Sequence, residues 1–178
     1  MNLDVYLGDG KLRFLLGSSG AKPCFIVGVN PSTATPECPD RTITKVGRFI
    51  EFDKEGGNGH DGFMMLNLCP VRKTDPKDLP LFLDPRHAAQ NQKEISRAFG
   101  KMKQPIIWAA WGNLIDSRSY LLDCLEKIVE IVKPLDPNWK IRGDLTIQKN
   151  PRHPGRLSYA HKMELFNVQD YLCRKRHL

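Results

Sequence analysis

Three continuous apolar runs divide the chain, and a polar residue or a turn follows each of them. The runs are residues 24–29, 63–68 and 105–110. A run of this length that ends at asparagine, proline or glycine is typical of a strand buried on both faces of a sheet. Residues 145–147 form a shorter run and predict a fourth strand.

Helical spacing of apolar residues occurs between and after these runs. The segments are residues 42–54, 85–99, 116–132 and 159–173. In the first of them, Ile43, Val46 and Ile50 fall on one helical face. The second begins with Asp84 and Pro85, a capping carboxylate before a proline at the first helical position. All four segments are therefore predicted to be helices.

The first 20 residues predict a hairpin, because two apolar stretches flank the turn sequence Gly8-Asp9-Gly10. After it, strand and helix alternate four times. We therefore predict an α/β fold, a three-layer α/β/α sandwich with a four-stranded, mainly parallel sheet. A chain of 178 residues is typical of one domain. Residues 1–178 are expected to form that domain, with residues 1–20 as an N-terminal hairpin extension.

Polar side chains stand directly after the predicted strands. They are Asn30, Asn67 and His153, with the sequence Trp111-Gly112 after the third strand. In an open α/β sheet, ligands bind outside the carboxyl ends of the strands. These residues are therefore expected to project into one pocket at that edge.

Composition narrows the classes of partner. The formal charge is +7, and a basic surface attracts polyanions, of which nucleic acid is the commonest. A mildly basic surface without a specific partner is the alternative. We expect the positive charge to concentrate at the pocket mouth, through Arg152, Arg156 and Lys162 with help from Arg72 and Lys73.

The five cysteines are scattered and form no C-x-x-C pair, so neither a zinc site nor a disulfide framework is predicted. No apolar run reaches the roughly 18 residues needed to span a bilayer, and the first residues lack the pattern of a signal peptide. We expect a cytoplasmic monomer with no metal, no cofactor and no membrane contact.

Four short motifs, taken in order, resemble those of the uracil-DNA glycosylase superfamily. Val27 to Pro31 reads Val-Gly-Val-Asn-Pro and resembles its Gly-x-Asn-Pro motif, while Asn67 to Pro70 reads Asn-Leu-Cys-Pro. Trp111-Gly112 resembles a strand end, and His153 to Ser158 resembles a His-Pro-Ser-Pro-Leu-Ser loop. The chain is also similar to an uncharacterised bacterial family, known by a domain-of-unknown-function label, with Asn-Pro-Ser-Thr-Ala and Pro-Arg-His-Pro motifs.

The resemblance implies catalytic roles for Asn30 and His153. Asn30 would hold the attacking water, although an amide cannot accept its proton. His153 would donate to the base oxygen on which negative charge develops. A simple turn at Asn30 and a structural histidine are the alternatives.

The resemblance also implies contacts with substrate and nucleic acid. Asn67 would read the base edge, and Pro31, Ser32 and Trp111 would complete the base pocket. Arg152, Arg156 and Ser158 would contact DNA, while Leu157 would fill the space left by a flipped base. A packing role for Leu157 is the alternative. Three departures stand out: Ser32 replaces a glycine, Asn30 an aspartate, and Gly155-Arg156 a Ser-Pro pair.

The expected function is hydrolysis of the N-glycosidic bond of a damaged or deaminated base in DNA, with base flipping, as in DNA repair. Two alternatives stay open. One is a nucleic-acid-binding domain without catalysis, and the other is an enzyme that acts on free nucleosides or nucleotides.

Overall fold

Parallel strand pairing at the centre of the sheet fixes the edge at which the site forms. The structure, a computed structural model, describes residues 2–55 and 59–177. In this part of the chain, seven strands form one sheet in the order β1-β2-β4-β3-β5-β6-β7. They are β1 (Val5–Gly8), β2 (Arg13–Ser18), β3 (Pro23–Gly28), β4 (Gly62–Asn67), β5 (Ile106–Ala109), β6 (Asn138–Arg142) and β7 (Met163–Leu165).

The sheet is mixed rather than mainly parallel with four strands. The four central strands β4, β3, β5 and β6 run parallel to one another. The hairpin strand β2 pairs antiparallel with β4, and β7 pairs antiparallel with β6. The α/β class is confirmed, whereas the predicted strand number was too small because strands at both edges are short and only partly apolar.

The N-terminal hairpin supplies two strands of the sheet. Leu16 of β2 lies opposite Met65 of β4, and the Arg13 amide donates to the Pro70 carbonyl at 2.9 Å. Leu16 is fully buried. The hairpin therefore extends the sheet on the side of β4 and contributes to its core.

The predicted fourth strand was placed wrongly. β6 is Asn138–Arg142, and residues 145–147 lie in a turn. Trp139 and Ile141 are buried, while the intervening Lys140 is partly exposed. This alternation marks a strand near the sheet edge, which has one face toward the core. The short apolar run at residues 145–147 gave the stronger but misleading signal.

The predicted last helix was also too long. Residues 163–165 form β7, and the helix begins only at Val168. The Asn167 side-chain oxygen accepts a hydrogen bond from the Asp170 amide at 3.1 Å. This N-cap satisfies a free backbone donor of the first turn and sets the start of the helix.

Helices cover both faces of the sheet. They are α1 (Arg41–Glu55), α2 (Pro85–Phe99), α3 (Tyr120–Val132) and α4 (Val168–Arg176). Apolar residues of α1 share one core with β2, β3, β4 and β5, and those of α2, α3 and α4 build the core on the opposite face.

The first two helices were predicted within a residue at each end. The third starts four residues late because a 3-10 helix occupies Gly112–Ser117. Within the described residues, no helix has the length and apolar character required to cross a membrane.

A buried ion pair lies inside the core under α1. Arg142 at the end of β6 donates a hydrogen bond to the Asp53 carboxylate, and both side chains are almost fully buried. The guanidinium Cζ lies 4.7 Å from the Phe49 ring centre and 4.9 Å from that of Trp108. The cation therefore has a carboxylate partner and two aromatic faces, which compensate for its lost hydration.

We expect Asp53→Ala to lower the free energy of unfolding by about 3–5 kcal/mol, since it leaves a buried cation without a partner. Urea denaturation measures this change. Glu130→Ala is the matched control, because its partner Lys127 lies 2.8 Å away on the surface with 54% of its side chain exposed. That variant should cost no more than about 1 kcal/mol. Equal effects in the two variants would contradict the argument.

Candidate active site

A cavity of about 300 Å³ lies at the carboxyl ends of β3 and β4, beside the first turn of α1. Loops from four separate parts of the chain meet there. Its walls include Arg13, Asn30, Ser32, Asp40, Lys73 and His153. The structure thus brings together Asn30 and His153, which are 123 positions apart in the sequence. Of the three residues expected in one pocket, Asn30 and His153 line this cavity and Asn67 does not.

Asn30 is fixed by its own amide group. Its Nδ2 donates to the Lys73 carbonyl at 2.8 Å and to the Pro31 carbonyl at 3.1 Å. These bonds use both hydrogens of the amide nitrogen. The carbonyl oxygen Oδ1 has no partner among the described residues, so Asn30 offers the cavity an acceptor.

The His153 ring is held by a hydrogen bond that it accepts, whereas Asn30 is held by bonds that it donates. Its Nδ1 accepts a hydrogen bond from the Gly155 amide at 3.1 Å, so the hydrogen of the neutral ring lies on Nε2. Burial lowers the pKa of His153 below its ordinary value, the carboxylate of Asp40 opposes that shift, and Arg156 and Lys45 add to it. His153 is therefore a neutral residue with an Nε2 donor.

The turn after β5 brings the histidine loop close to the sheet. Gly112 has a positive φ of 62°, and a Cβ built on it would lie 3.1 Å from the Cβ of His153. The Gly112 amide donates to the Pro151 carbonyl at 2.9 Å. Both the conformation and the close approach favour glycine at this position. The neighbouring Trp111 is fully buried, donates from Nε1 to the Tyr171 hydroxyl at 3.2 Å and forms part of the cavity wall.

Ser32 and Asp40 join the Asn30 loop to the start of α1. The Ser32 hydroxyl donates to Asp40 Oδ2 at 2.5 Å, and the Ile43 amide donates to Asp40 Oδ1 at 2.8 Å. Asp40 is therefore the N-cap of α1. Pro31 is buried and does not line the cavity. Its carbonyl accepts from the Lys73 amide at 2.9 Å, so it supports Asn30 from behind.

Asn67 lies behind the cavity wall and does not line it. Its side chain is fully buried, and neither amide atom has a hydrogen-bond partner in the described part of the chain. Its Oδ1 lies 3.4 Å from the position that a Cβ on Gly28 would occupy, and Gly28 is part of the wall. Asn67 is therefore buried next to the wall residue Gly28 rather than exposed in the cavity.

Arg13 was missed by sequence reasoning, although it lines the cavity. Only 1% of this residue is exposed. Its Nη1 donates to the Ala34 carbonyl at 3.2 Å, and Nε has no partner in the described residues. Burial lowers the pKa of Arg13 to about 10, against the opposing effect of Asp40, so it stays charged at neutral pH. The available signal was an arginine within the apolar stretch of residues 12–16.

A wider groove of about 770 Å³ adjoins the cavity and shares Trp111, Leu114 and His153 with it. Arg152 and Arg156 line this groove, as does Ile147, which is 94% exposed. One nitrogen of the Arg152 guanidinium already has a partner, since Nε donates to the Asp144 carbonyl at 2.8 Å. The Arg156 side chain is exposed. Beside the cavity, the groove therefore has one cation without a partner among the described residues, Arg156, and two exposed apolar residues, Leu114 and Ile147.

The structure places four residues that were expected at the pocket mouth or at the DNA surface. Leu157 is only 3% exposed and packs in the core under α1, so it does not project as a wedge. Arg72 does not line the cavity, because its guanidinium binds the loop at residues 32–34, with Nε donating to the Ser32 carbonyl at 3.1 Å and Nη2 to the Thr33 carbonyl at 2.6 Å. Lys162 and Ser158 are exposed but lie outside both depressions.

A family profile described as "Protein of unknown function (DUF1643)" matches residues 13–155 of the chain. The chain belongs to the DUF1643 family. The matched region contains every residue that lines the cavity, from Arg13 to His153, whereas β1, β7 and α4 of this DUF1643 member lie outside it. No curated protein and no solved structure matches the chain significantly.

We expect His153 to titrate below its ordinary pKa of 6.5, with the hydrogen of the neutral ring on Nε2. Burial disfavours the charged ring, so the folded state carries no penalty above about pH 6.5 and becomes less stable as the pH falls from there through the lower folded pKa. Long-range ¹H–¹⁵N NMR spectra against pH give both the pKa and the tautomer, with His153→Gln for assignment. A midpoint above 6.5, or a hydrogen on Nδ1, would contradict the structure.

Proposed function

We propose that this protein hydrolyses the N-glycosidic bond of a damaged or deaminated base in DNA. The observation that carries the proposal is the pairing of a fixed acceptor, Asn30 Oδ1, with a fixed neutral donor, His153 Nε2, in one cavity. Hydrolysis of this bond needs a held water on one side of the sugar and a donor to the departing base on the other. The resemblance of both loops to the uracil-DNA glycosylase motifs supports the same assignment.

The two residues would divide the reaction between them. The water oxygen bonds to C1′, the C1′–N bond breaks, and its electron pair leaves with the base. His153 donates a hydrogen bond to the base oxygen on which that charge gathers. Asn30 orients the water through Oδ1 but takes no proton from it. The proton of the attacking water passes through solvent to the departed base anion, so the products are a 1′-hydroxyl and a neutral base. Stabilisation of the leaving base is then the main source of rate.

The groove gives the proposal its nucleic-acid surface. Arg156 and Lys73 are exposed at the edges of the groove and the cavity, where they can contact phosphates. Ile147 protrudes from the surface, as was expected of Leu157, whose side chain is buried. Its turn is held by the Thr146 amide, which donates to the Asn150 carbonyl at 2.9 Å, and by the Thr146 hydroxyl, which donates to Asn113 Oδ1 at 2.6 Å. An apolar side chain on a braced turn can insert where a base has left the stack.

His153→Ala should slow single-turnover base release about a hundredfold or more, since loss of a preorganised donor costs roughly 2.7–4 kcal/mol of transition-state stabilisation. The measurement uses oligonucleotides with uracil, hypoxanthine or xanthine, alongside their DNA affinity, which should change little. His87→Ala on α2 is the control, because this residue lines neither depression. No base release by the unaltered protein would favour a binding domain without catalysis. Unchanged release by His153→Ala would refute the mechanism.

Arg156→Ala and Ile147→Ser should weaken DNA binding in different ways. Arg156→Ala removes a phosphate contact, so it should reduce the slope of log affinity against log salt by about one. Ile147→Ser removes the inserting side chain. It should leave that slope unchanged, and its largest effect should be on binding to a duplex with a mismatched base. Fluorescence anisotropy at several salt concentrations separates the two effects, with Arg86→Ala on α2 as control. Equal affinity of all variants would place the DNA surface elsewhere.

A further inference from the structure

Among the described residues, Arg13 lacks the carboxylate partner that the other deeply buried arginine has. Arg142 binds Asp53 directly and lies between two aromatic rings. Arg13 is just as buried, yet its side chain makes one hydrogen bond, to the Ala34 carbonyl, among the described residues. A buried cation is costly unless it is paired and hydrogen-bonded. The incomplete set of partners around Arg13 therefore requires an explanation.

Asp40 does not complete that set. It is near enough to raise the pKa of Arg13, but it forms no ion pair with it among the described residues. Both of its oxygens are engaged, by the Ser32 hydroxyl at 2.5 Å and by the Ile43 amide at 2.8 Å. Asp40 is thus committed to the N-cap of α1, and Arg13 keeps its Nε donor unsatisfied beside the cavity.

The other charges of the cavity favour an anion there. Its walls carry two cations, Arg13 and Lys73, one carboxylate, Asp40, and the neutral His153. The balance is one positive charge. The first turn of α1 contributes Thr42 and Ile43 to the wall, and the N-terminal end of a helix attracts negative charge. The net positive charge of the wall and the N-terminal end of α1 both favour an anion, as the guanidinium of Arg13 does.

We propose that Arg13 binds an oxyanion of the substrate, with Lys73 as a second cation at the rim. This inference deepens the proposed function and rests on its assignment of the cavity to the substrate. The oxyanion has two sources, a backbone phosphate beside the target nucleotide or an acidic group on the base itself. Either would supply an acceptor to Arg13 through charge-assisted hydrogen bonds. The target is then recognised through a negative charge on its phosphate or on its base.

Equilibrium binding to the whole protein tests this inference, by isothermal titration calorimetry with matched probes. Inorganic phosphate and a nucleoside 5′-monophosphate against its nucleoside test the phosphate source. 5-Carboxyuracil against uracil tests the base source. The probe that carries the right anion should bind at least about tenfold more tightly than its neutral match. This ratio corresponds to the free energy of a hydrogen bond to a charged group.

Two variants assign the preference to the cavity. Arg13→Gln should abolish it, and Lys73→Ala should reduce it while keeping the backbone hydrogen bonds of residue 73 with Pro31 and Asn30. Lys103→Ala, exposed before β5 at the opposite edge of the sheet, should bind as the unaltered protein does. Circular dichroism checks the fold of each variant, and Lys73→Ala carries the test if Arg13→Gln does not fold.

The outcomes separate this inference from the proposed function. A preference for the phosphate or for the carboxylate probe that both cavity variants weaken supports the inference and identifies the source. No preference for either anion, or one that both variants keep, overturns it. Base release without an anion preference would overturn this inference alone. An anion preference without base release from any substrate would overturn the proposed hydrolysis alone.

Discussion

β3 pairs in parallel with β4 on one side and with β5 on the other, so these three strands end at the same edge of the sheet. Every part of the cavity depends on this pairing. Gly28 at the end of β3 forms part of its wall, and the chain continues directly into the Asn30 loop. The turn after β5 then brings His153 to the same edge through Gly112, whose lack of a side chain permits the close approach.

The two central polar groups are fixed in complementary ways. Asn30 uses its donors on loop carbonyls and keeps its acceptor, while His153 uses its acceptor on a backbone amide and keeps its donor. Neither residue must reorganise to present that atom to a ligand, which is what electrostatic preorganisation requires. Arg72 contributes indirectly, since its bonds to loop carbonyls hold the chain that connects Asn30 to α1.

Two buried arginines have different surroundings. Arg142 has a carboxylate and two aromatic rings around it, so its charge is compensated within the core. Arg13 has one carbonyl partner among the described residues and lies in the wall of the cavity. The proposed anionic substrate would supply the missing partner, just as the proposed hydrolysis assigns the free atoms of Asn30 and His153 to water and base.

The central strands, the helices α1 and α2 and the shared edge of Asn30 and His153 could all be predicted from the sequence. Continuous apolar runs and local caps are properties of neighbouring residues, so they are readable without a structure. The positions of β6 and of the edge strand β7, the burial of Leu157 and Asn67, and the place of Arg13 in the site could not be predicted in this way. These depend on contacts between distant segments: Leu157 packs beneath α1, and Arg13 is enclosed by the loop that carries Ala34. Only tertiary packing decides whether such a side chain faces core, cavity or solvent, because its local pattern is compatible with each.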